Sequence, residues 1–172
     1  MSNINTAWNW SVNTCNLPNV GYSQEYREGQ THNGIVYYDC SSFIFYALKN
    51  AGFPVASVYG SYACTTSDMC EYLPALGFHE VDVSGEWKPA DILWRSGHTE
   101  LVYQGRRTMG AHTDEVPLPD QVSVNSFDSS PSAWTRCFRY GSGGSGLNVS
   151  TYVIAAICGN FWQESTINPG LW

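Results

Sequence analysis

The stretch Tyr37-Tyr38-Asp39-Cys40-Ser41-Ser42-Phe43-Ile44-Phe45-Tyr46-Ala47-Leu48 decides the fold. Taken as a helix from Cys40, it lines Cys40, Phe43, Ile44, Ala47 and Leu48 along one face at the spacing of an amphipathic helix. Asp39 has the side chain of an N-cap, and Gly52, after Lys49-Asn50-Ala51, supplies a stop. A cysteine in the first turn meets backbone N–H groups without partners and the positive end of the helix dipole, which favour thiolate over thiol. On its own such a cysteine reads first as a small apolar residue of a core helix. Ser96-Gly97-His98-Thr99-Glu100-Leu101-Val102-Tyr103 shifts that reading. Here a histidine opens an apparent strand, as a base set against a helix-borne thiolate requires.

Outward from this helix, residues 5 to 15 predict a short helix stopped by Leu17-Pro18. A polar, glycine-containing loop from Gly21 to Gly34 leads into the Cys40 helix. Thr66-Ser67-Asp68 can cap a helix over Met69 to Leu76, closed by Gly77, with Pro74 late in it. From residue 79 the period changes to two. Glu80-Val81-Asp82-Val83, Ile92-Leu93-Trp94, Thr99 to Tyr103, Thr108 to His112, Val122-Ser123-Val124 and Trp134 to Tyr140 alternate or carry strand formers between turn residues. Helices followed by a meander of strands predict an α+β fold with an antiparallel sheet. Gly141-Ser142-Gly143-Gly144-Ser145-Gly146 has the composition of a flexible linker. One folded unit is therefore expected over 1–140, a linker over 141–146, and the truncated start of a second domain over 147–172.

The 172 residues carry a net charge of −7, with 43% hydrophobic and 15% aromatic content. The acidic balance argues against nucleic acid or an anionic membrane as the main partner. No apolar run reaches the 18 or so residues of a membrane span. The start of the chain has neither a basic region nor an apolar signal core, so synthesis in a cytoplasm, or exit by a route other than general secretion, is expected. The six cysteines include no C-x-x-C pair and nothing spaced like a zinc site, so free thiols and no metal or cofactor are expected. Cys64 and Cys70 are close enough in sequence to bridge after export.

Of the four histidines, His32 lies in the polar loop and His79 begins a strand; both read as surface residues. His98 sits at a strand end where a cleft can open. His112 ends the next strand, reached through a turn at Gly105-Arg106, so strand pairing can bring it toward His98. Glu100 shares a face with His98 by the period-two rule and competes to orient it. Its position about 7 Å along the strand points its carboxylate alongside the ring, which favours His112 as the orienting group.

Three segments together resemble a known family. Asp39-Cys40-Ser41-Ser42-Phe43, Lys88-Pro89-Ala90-Asp91-Ile92-Leu93 and Gly97-His98-Thr99-Glu100-Leu101-Val102-Tyr103 are similar to the three marks of the NlpC/P60 cysteine peptidases. Those marks are a D-C-S-[GS] helix start, a P-G-D-[LI] strand and a G-H-[VT]-x-[IL]-x-Y strand. The resemblance covers about residues 1 to 140 and is strongest to the bacteriophage endolysin branch, amidase family 5. It implies a papain-like α+β core and cleavage of an amide in a peptidoglycan stem peptide. By position it makes Cys40 the nucleophile, His98 the base and His112 the third polar residue, with Glu100 the alternative. Tyr22 matches the family's tyrosine that helps bind the oxyanion, and Asp39 and Ser41 fall where its peptide-binding groups lie. Ala90 stands where the family has glycine, a change read as without consequence.

The resemblance further implies a phage-encoded protein, made in a host cytoplasm, that acts on Gram-positive peptidoglycan as a monomer, with no nucleic acid and no membrane insertion. The favoured bond is a γ-D-glutaminyl–L-lysine link; the alternative is the N-acetylmuramoyl–L-alanine amide, with the same residues. A wall-binding module with a dead site is the reading from a different class. In the tail, Ala155 to Ser165 followed by Asn168-Pro169-Gly170 resembles the start of a phage tail-lysozyme domain, with Glu164 at the acid position and read here as inert.

Overall fold

The computed structural model describes residues 3–141. Residues 142–172, on which most of the expected linker (141–146) and the expected start of a second domain (147–172) fall, lie outside the described residues. Helix α1 runs Ile4–Cys15, capped by the Asn3 side chain, which accepts from the Asn5 and Thr6 N–H groups. Three short strands follow, β1 (Val20–Tyr22), β2 (Glu28–His32) and β3 (Ile35–Tyr38). They form a small sheet in the order β1-β3-β2, with β1 and β3 parallel and β2 and β3 antiparallel. The sequence reading has a loop here, because Glu-Gly-Gln-Thr-His carries no apolar alternation. Asn33-Gly34 is the signal that marks the hairpin: both residues take positive φ, +53° and +82°, as a two-residue type I′ turn requires.

Helix α2 (Cys40–Asn50) begins where the sequence places it. The Asp39 side chain accepts from Ser42 N–H at 2.9 Å and Ser42 Oγ accepts from Asp39 N–H at 2.9 Å, a reciprocal capping box. Gly52 takes φ +85° just past the end, the left-handed stop that only glycine takes without strain. A single turn, α3 (Val55–Val58), precedes α4 (Thr66–Ala75). The cap of α4 is Thr65, one residue earlier than its sequence suggests, with Asp68 closing the box. Pro74 sits in the last turn, where few intrahelical bonds remain to be lost.

The remaining chain forms β4 (Phe78–Val81), β5 (Ile92–Arg95), β6 (His98–Gln104), β7 (Arg107–Ala111), the turn α5 (Leu118–Gln121), β8 (Val122–Asn125) and β9 (Arg136–Tyr140). The sheet is antiparallel throughout, and its order is β4-β9-β5-β6-β7-β8. Strands β5 to β8 are a meander; β9 returns to insert between β4 and β5. The fold is α+β.

Helix α2 lies against β6 and β7, and α1 packs on α2, β7 and β8. Phe43, Ile44, Ala47 and Leu48 of α2 join Ile92, Leu101, Met109 and Phe138 of the sheet in one core. The neighbouring residues Leu93 and Val102 go to a second cluster with Trp87, Trp134 and Cys137, as the period of two demands. Burying Phe43, Ile44 and Leu48 contributes roughly 5–9 kcal/mol of transfer free energy, which holds the start of α2 in place.

Candidate active site

Cys40 is the first residue of α2 and is 6% exposed, so its side chain leaves the helix at the end where the N–H groups lack partners. His98 opens β6 after the Ser96-Gly97 turn, directly opposite Arg95. His98 Nε2 is 2.8 Å from Glu100 Oε2, and the ring lies near enough to Cys40 to feel the sulfur. Burial pulls the His98 pKa down, but its interactions with Cys40 and Glu100 outweigh that and raise the value to about 9. His98 is therefore an imidazolium at neutral pH.

Glu100 is fully buried and sits between two imidazoles. The oxygen that meets His98 also meets His112 Nδ1, at 2.5 Å, while Oε1 accepts from the Thr108 hydroxyl at 2.5 Å. Burial raises the Glu100 pKa; the His112 and His98 hydrogen bonds and charges overcome that and hold it down at about 2. On its far side His112 Nε2 faces the Ser123 carbonyl at 2.9 Å and the Asn125 side-chain amide at 2.8 Å. The group in contact with His98 is thus Glu100, and His112 reaches His98 through it. The separation of about 7 Å between these positions is one between Cα atoms. A glutamate side chain leans along its strand far enough to close that gap.

The loop between β8 and β9 covers both histidines. Trp134 stacks on His98, with centroids 5.9 Å apart and planes at 22°, and Phe127 meets His112 edge-on at 5.2 Å. Trp134 donates from Nε1 to the Asp128 carbonyl, and the Arg95 guanidinium lies 4.6 Å from its ring centroid. None of Thr108, Asn125, Phe127 and Trp134 was singled out from the sequence. They lie past the motifs: sheet register brings in Thr108 and Asn125, and the loop between β8 and β9 brings in Phe127 and Trp134.

His98, Glu100 and His112 also offer two nitrogens and an oxygen within 4.8 Å of one another, a donor set that zinc accepts. The spacing fits shared protons better. Zinc bonds of about 2.0–2.1 Å in tetrahedral array would hold ligand atoms about 3.3 Å apart. The nitrogens here are 2.8 and 2.5 Å from one carboxylate oxygen.

The hydroxyl of Tyr22, at the end of β1, feels the charges of Cys40 and Asp39. Burial first, then those two charges, push its pKa up to about 12, so it stays a neutral donor. Asp39 and Ser41, in contrast, are buried and engaged by one side chain. Arg27 grips both Asp39 oxygens and donates to Ser41 Oγ at 3.0 Å. Asp91 of the second motif is structural: its carboxylate takes Arg139 Nε and Nη2 at 2.9 and 2.7 Å and Lys88 N–H at 2.8 Å, tying β5 to β9. His32, stacked on Tyr26, and His79, bonded to the Gly141 carbonyl, lie away from this group. Cys15, Cys40, Cys64, Cys70 and Cys137 are free thiols. Among the described residues no helix is long and apolar enough to cross a membrane.

The family model for amidase family 5, described as bacteriophage peptidoglycan hydrolase, matches residues 3–105. That span includes Tyr22, Cys40, His98 and Glu100 and ends before His112. No curated protein matches the chain. The chain belongs to amidase family 5, the bacteriophage peptidoglycan hydrolases, and is an enzyme that acts on peptidoglycan.

Proposed function

We propose that Cys40 and His98 work as a thiolate–imidazolium pair that hydrolyses an amide bond of the peptidoglycan stem peptide, in a papain-like arrangement of the NlpC/P60 kind. The observation that carries this reading is the place of His98, bonded to the Glu100 carboxylate at 2.8 Å and close enough to Cys40 to interact with it. The thiolate attacks the amide carbon, and the carbonyl oxygen takes the negative charge. His98 then gives its proton to the leaving nitrogen, the C–N bond breaks, and a thioester remains. Neutral His98 next takes a proton from water, the hydroxide adds to the thioester, and the acid departs as the Cys40 thiolate is regenerated. Tyr22, neutral and beside Cys40, donates to the oxyanion. Glu100 is the positioning residue that fixes the His98 ring and stabilises its charge; His112, held by Asn125 and the Ser123 carbonyl, fixes Glu100. Asp39 and Ser41 act in this reading on the helix start.

Glu100 does not suit glycoside cleavage. That reaction needs a carboxylic acid with a proton to donate, and a carboxyl held at about 2 has none at neutral pH. Within the stem peptide the favoured bond is the γ-D-glutaminyl–L-lysine link of Gram-positive walls, with residues 1–140 as the catalytic unit; the three-motif resemblance to endolysins is shared with the N-acetylmuramoyl–L-alanine amidases, so the products decide. Mass spectrometry of a defined disaccharide-peptide after digestion tests this. The expected products are a disaccharide–dipeptide ending in D-isoglutamine or D-glutamate with a free γ-carboxylate, and a peptide beginning with L-lysine. A free lactyl group on the sugar with an intact L-alanyl peptide would make the enzyme an N-acetylmuramoyl–L-alanine amidase, and new reducing sugar ends would overturn amide cleavage altogether.

A further inference from the structure

The helix that carries the nucleophile is capped by an aspartate, and this creates an electrostatic conflict. Serine or asparagine caps a helix as well as aspartate does and brings no charge. Asp39 places a carboxylate one residue from Cys40, where a like charge opposes formation of a thiolate. Arg27, from the connection between β1 and β2, meets that carboxylate with both arms of its fork: Nε is 2.6 Å from Oδ2 and Nη2 is 3.2 Å from Oδ1. Its remaining donors reach Ser41 Oγ, the Ala63 and Cys64 carbonyls and Glu28. Glu28 is itself held by the Tyr46 hydroxyl and the Ala63 N–H. The pair is largely shielded, with side chains 18% and 9% exposed, so solvent does little to screen it. A lysine cannot make this two-point contact.

We infer that Arg27 is a positioning residue of the active site, which neutralises Asp39 beside Cys40 and fastens the Ala63–Cys64 segment to the start of the catalytic helix. The inference rests on Cys40 being the nucleophile. The other groups that act on Cys40 are Tyr22 from β1 and His98 from β6, with Glu100 behind the latter; Asp114 acts on Tyr22 in turn. His98, the cation among them, is bonded to Glu100, and Asp39 is left to Arg27.

The test compares the full chain with Arg27→Gln, Asp39→Asn and the double variant. The rate of Cys40 alkylation by iodoacetamide is followed against pH by peptide mapping, together with kcat and KM for amide release. Mapping resolves Cys40 from the other five cysteines by peptide, and burial pushes Cys15, Cys64 and Cys137 up to about 12 and raises Cys70 as well. Arg27→Gln should move the alkylation midpoint up by about one pH unit, a tenfold loss of rate below it, and lower kcat more than it raises KM. Asp39→Asn, which keeps a cap but leaves Arg27 uncompensated, should move the midpoint down. The double variant should return close to wild type and exceed Arg27→Gln in kcat. Should Arg27→Gln not fold, the other two variants still decide. A double variant no better than Arg27→Gln, or an upward shift in Asp39→Asn, would reduce Arg27 to a fold-holding residue and overturn the inference. Failure of the underlying reading looks different: alkylation of wild-type Cys40 would then leave wall hydrolysis intact, and both conclusions would fall together.

Discussion

Replacing Glu100 by glutamine removes the one negative charge shared by His98 and His112 while keeping the size of the side chain. His98 owes its value of about 9 to Cys40 and Glu100 together, working against burial. Without the carboxylate, burial gains and the value should drop back toward 6.5 by about one to two units, each unit a factor of ten in the imidazolium population on the alkaline side. The alkaline limb of kcat/KM should therefore move down from near 9 by the same amount. Loss of an oriented acid–base group should also cut kcat on the order of 10²–10⁴-fold. Stability should respond in a defined pH window. The Glu100 pKa is lowered from 4.5 to about 2 on folding, so its contribution is complete above 4.5 and fades as pH falls toward 2. The His98 pKa is raised from 6.5 to about 9, so its contribution is complete below 6.5 and fades as pH rises toward 9. Both are in force between about 4.5 and 6.5, and there Glu100→Gln should lose the most melting temperature, for a cost of about 1–3 kcal/mol. Rates of amine release from pH 5 to 10 and melting curves over the same range read both effects. A variant with near-normal kcat and an unmoved alkaline limb, beside a crippled His112→Ala, would refute the placing of Glu100 between the histidines.

Ala90 holds φ +75° at the turn before β5, a conformation that costs an alanine about 1 kcal/mol, so Ala90→Gly should raise stability by up to that amount and the melting temperature by a few degrees. A chain ending at Gly141 should keep its kcat and melting temperature, because β9 closes the sheet at Tyr140 and Gly141 N–H reaches the Gly77 carbonyl; unfolding of that chain would show that residues past 141 hold the core. Hydrolysis should run at the same rate in excess chelator, since the His98–Glu100–His112 spacing suits protons; a loss restored by zinc or calcium would contradict this.

What was legible in the sequence follows from how local each signal is. The helix start at Cys40, its cap and its stop depend on neighbours a turn away, and Asp39, Ser42 and Gly52 state them directly. The strands from residue 78 onward are legible from their period. Their order is not, because β9 inserts between β4 and β5 through pairs far apart in sequence, Ile92 with Phe138 and Phe78 with Tyr140. The small sheet was hidden by a polar β2, although Asn33-Gly34 announced its hairpin. In the site, Cys40, His98, Glu100 and His112 were all singled out from their residue types and placement. The order among the last three was decided by side-chain reach across β6 and β7, which spacing along a strand does not contain. Arg27 was illegible for the same reason: it meets Asp39 from a loop twelve residues away. Ala90 carries a cost that the sequence reading missed, because only its backbone angle reveals it.

In the proposed reaction the Cys40 sulfur forms the bond to the substrate carbonyl. Cys40→Ala and Cys40→Ser, digested against purified cell wall beside the wild type, test it most directly when free amino groups and reducing sugar ends are measured together with the far-ultraviolet dichroism of each protein. Wild-type enzyme should release amino groups and no reducing ends, and both variants should keep the native spectrum and release neither. Amino-group release at the wild-type rate from a folded Cys40→Ala protein would contradict the account.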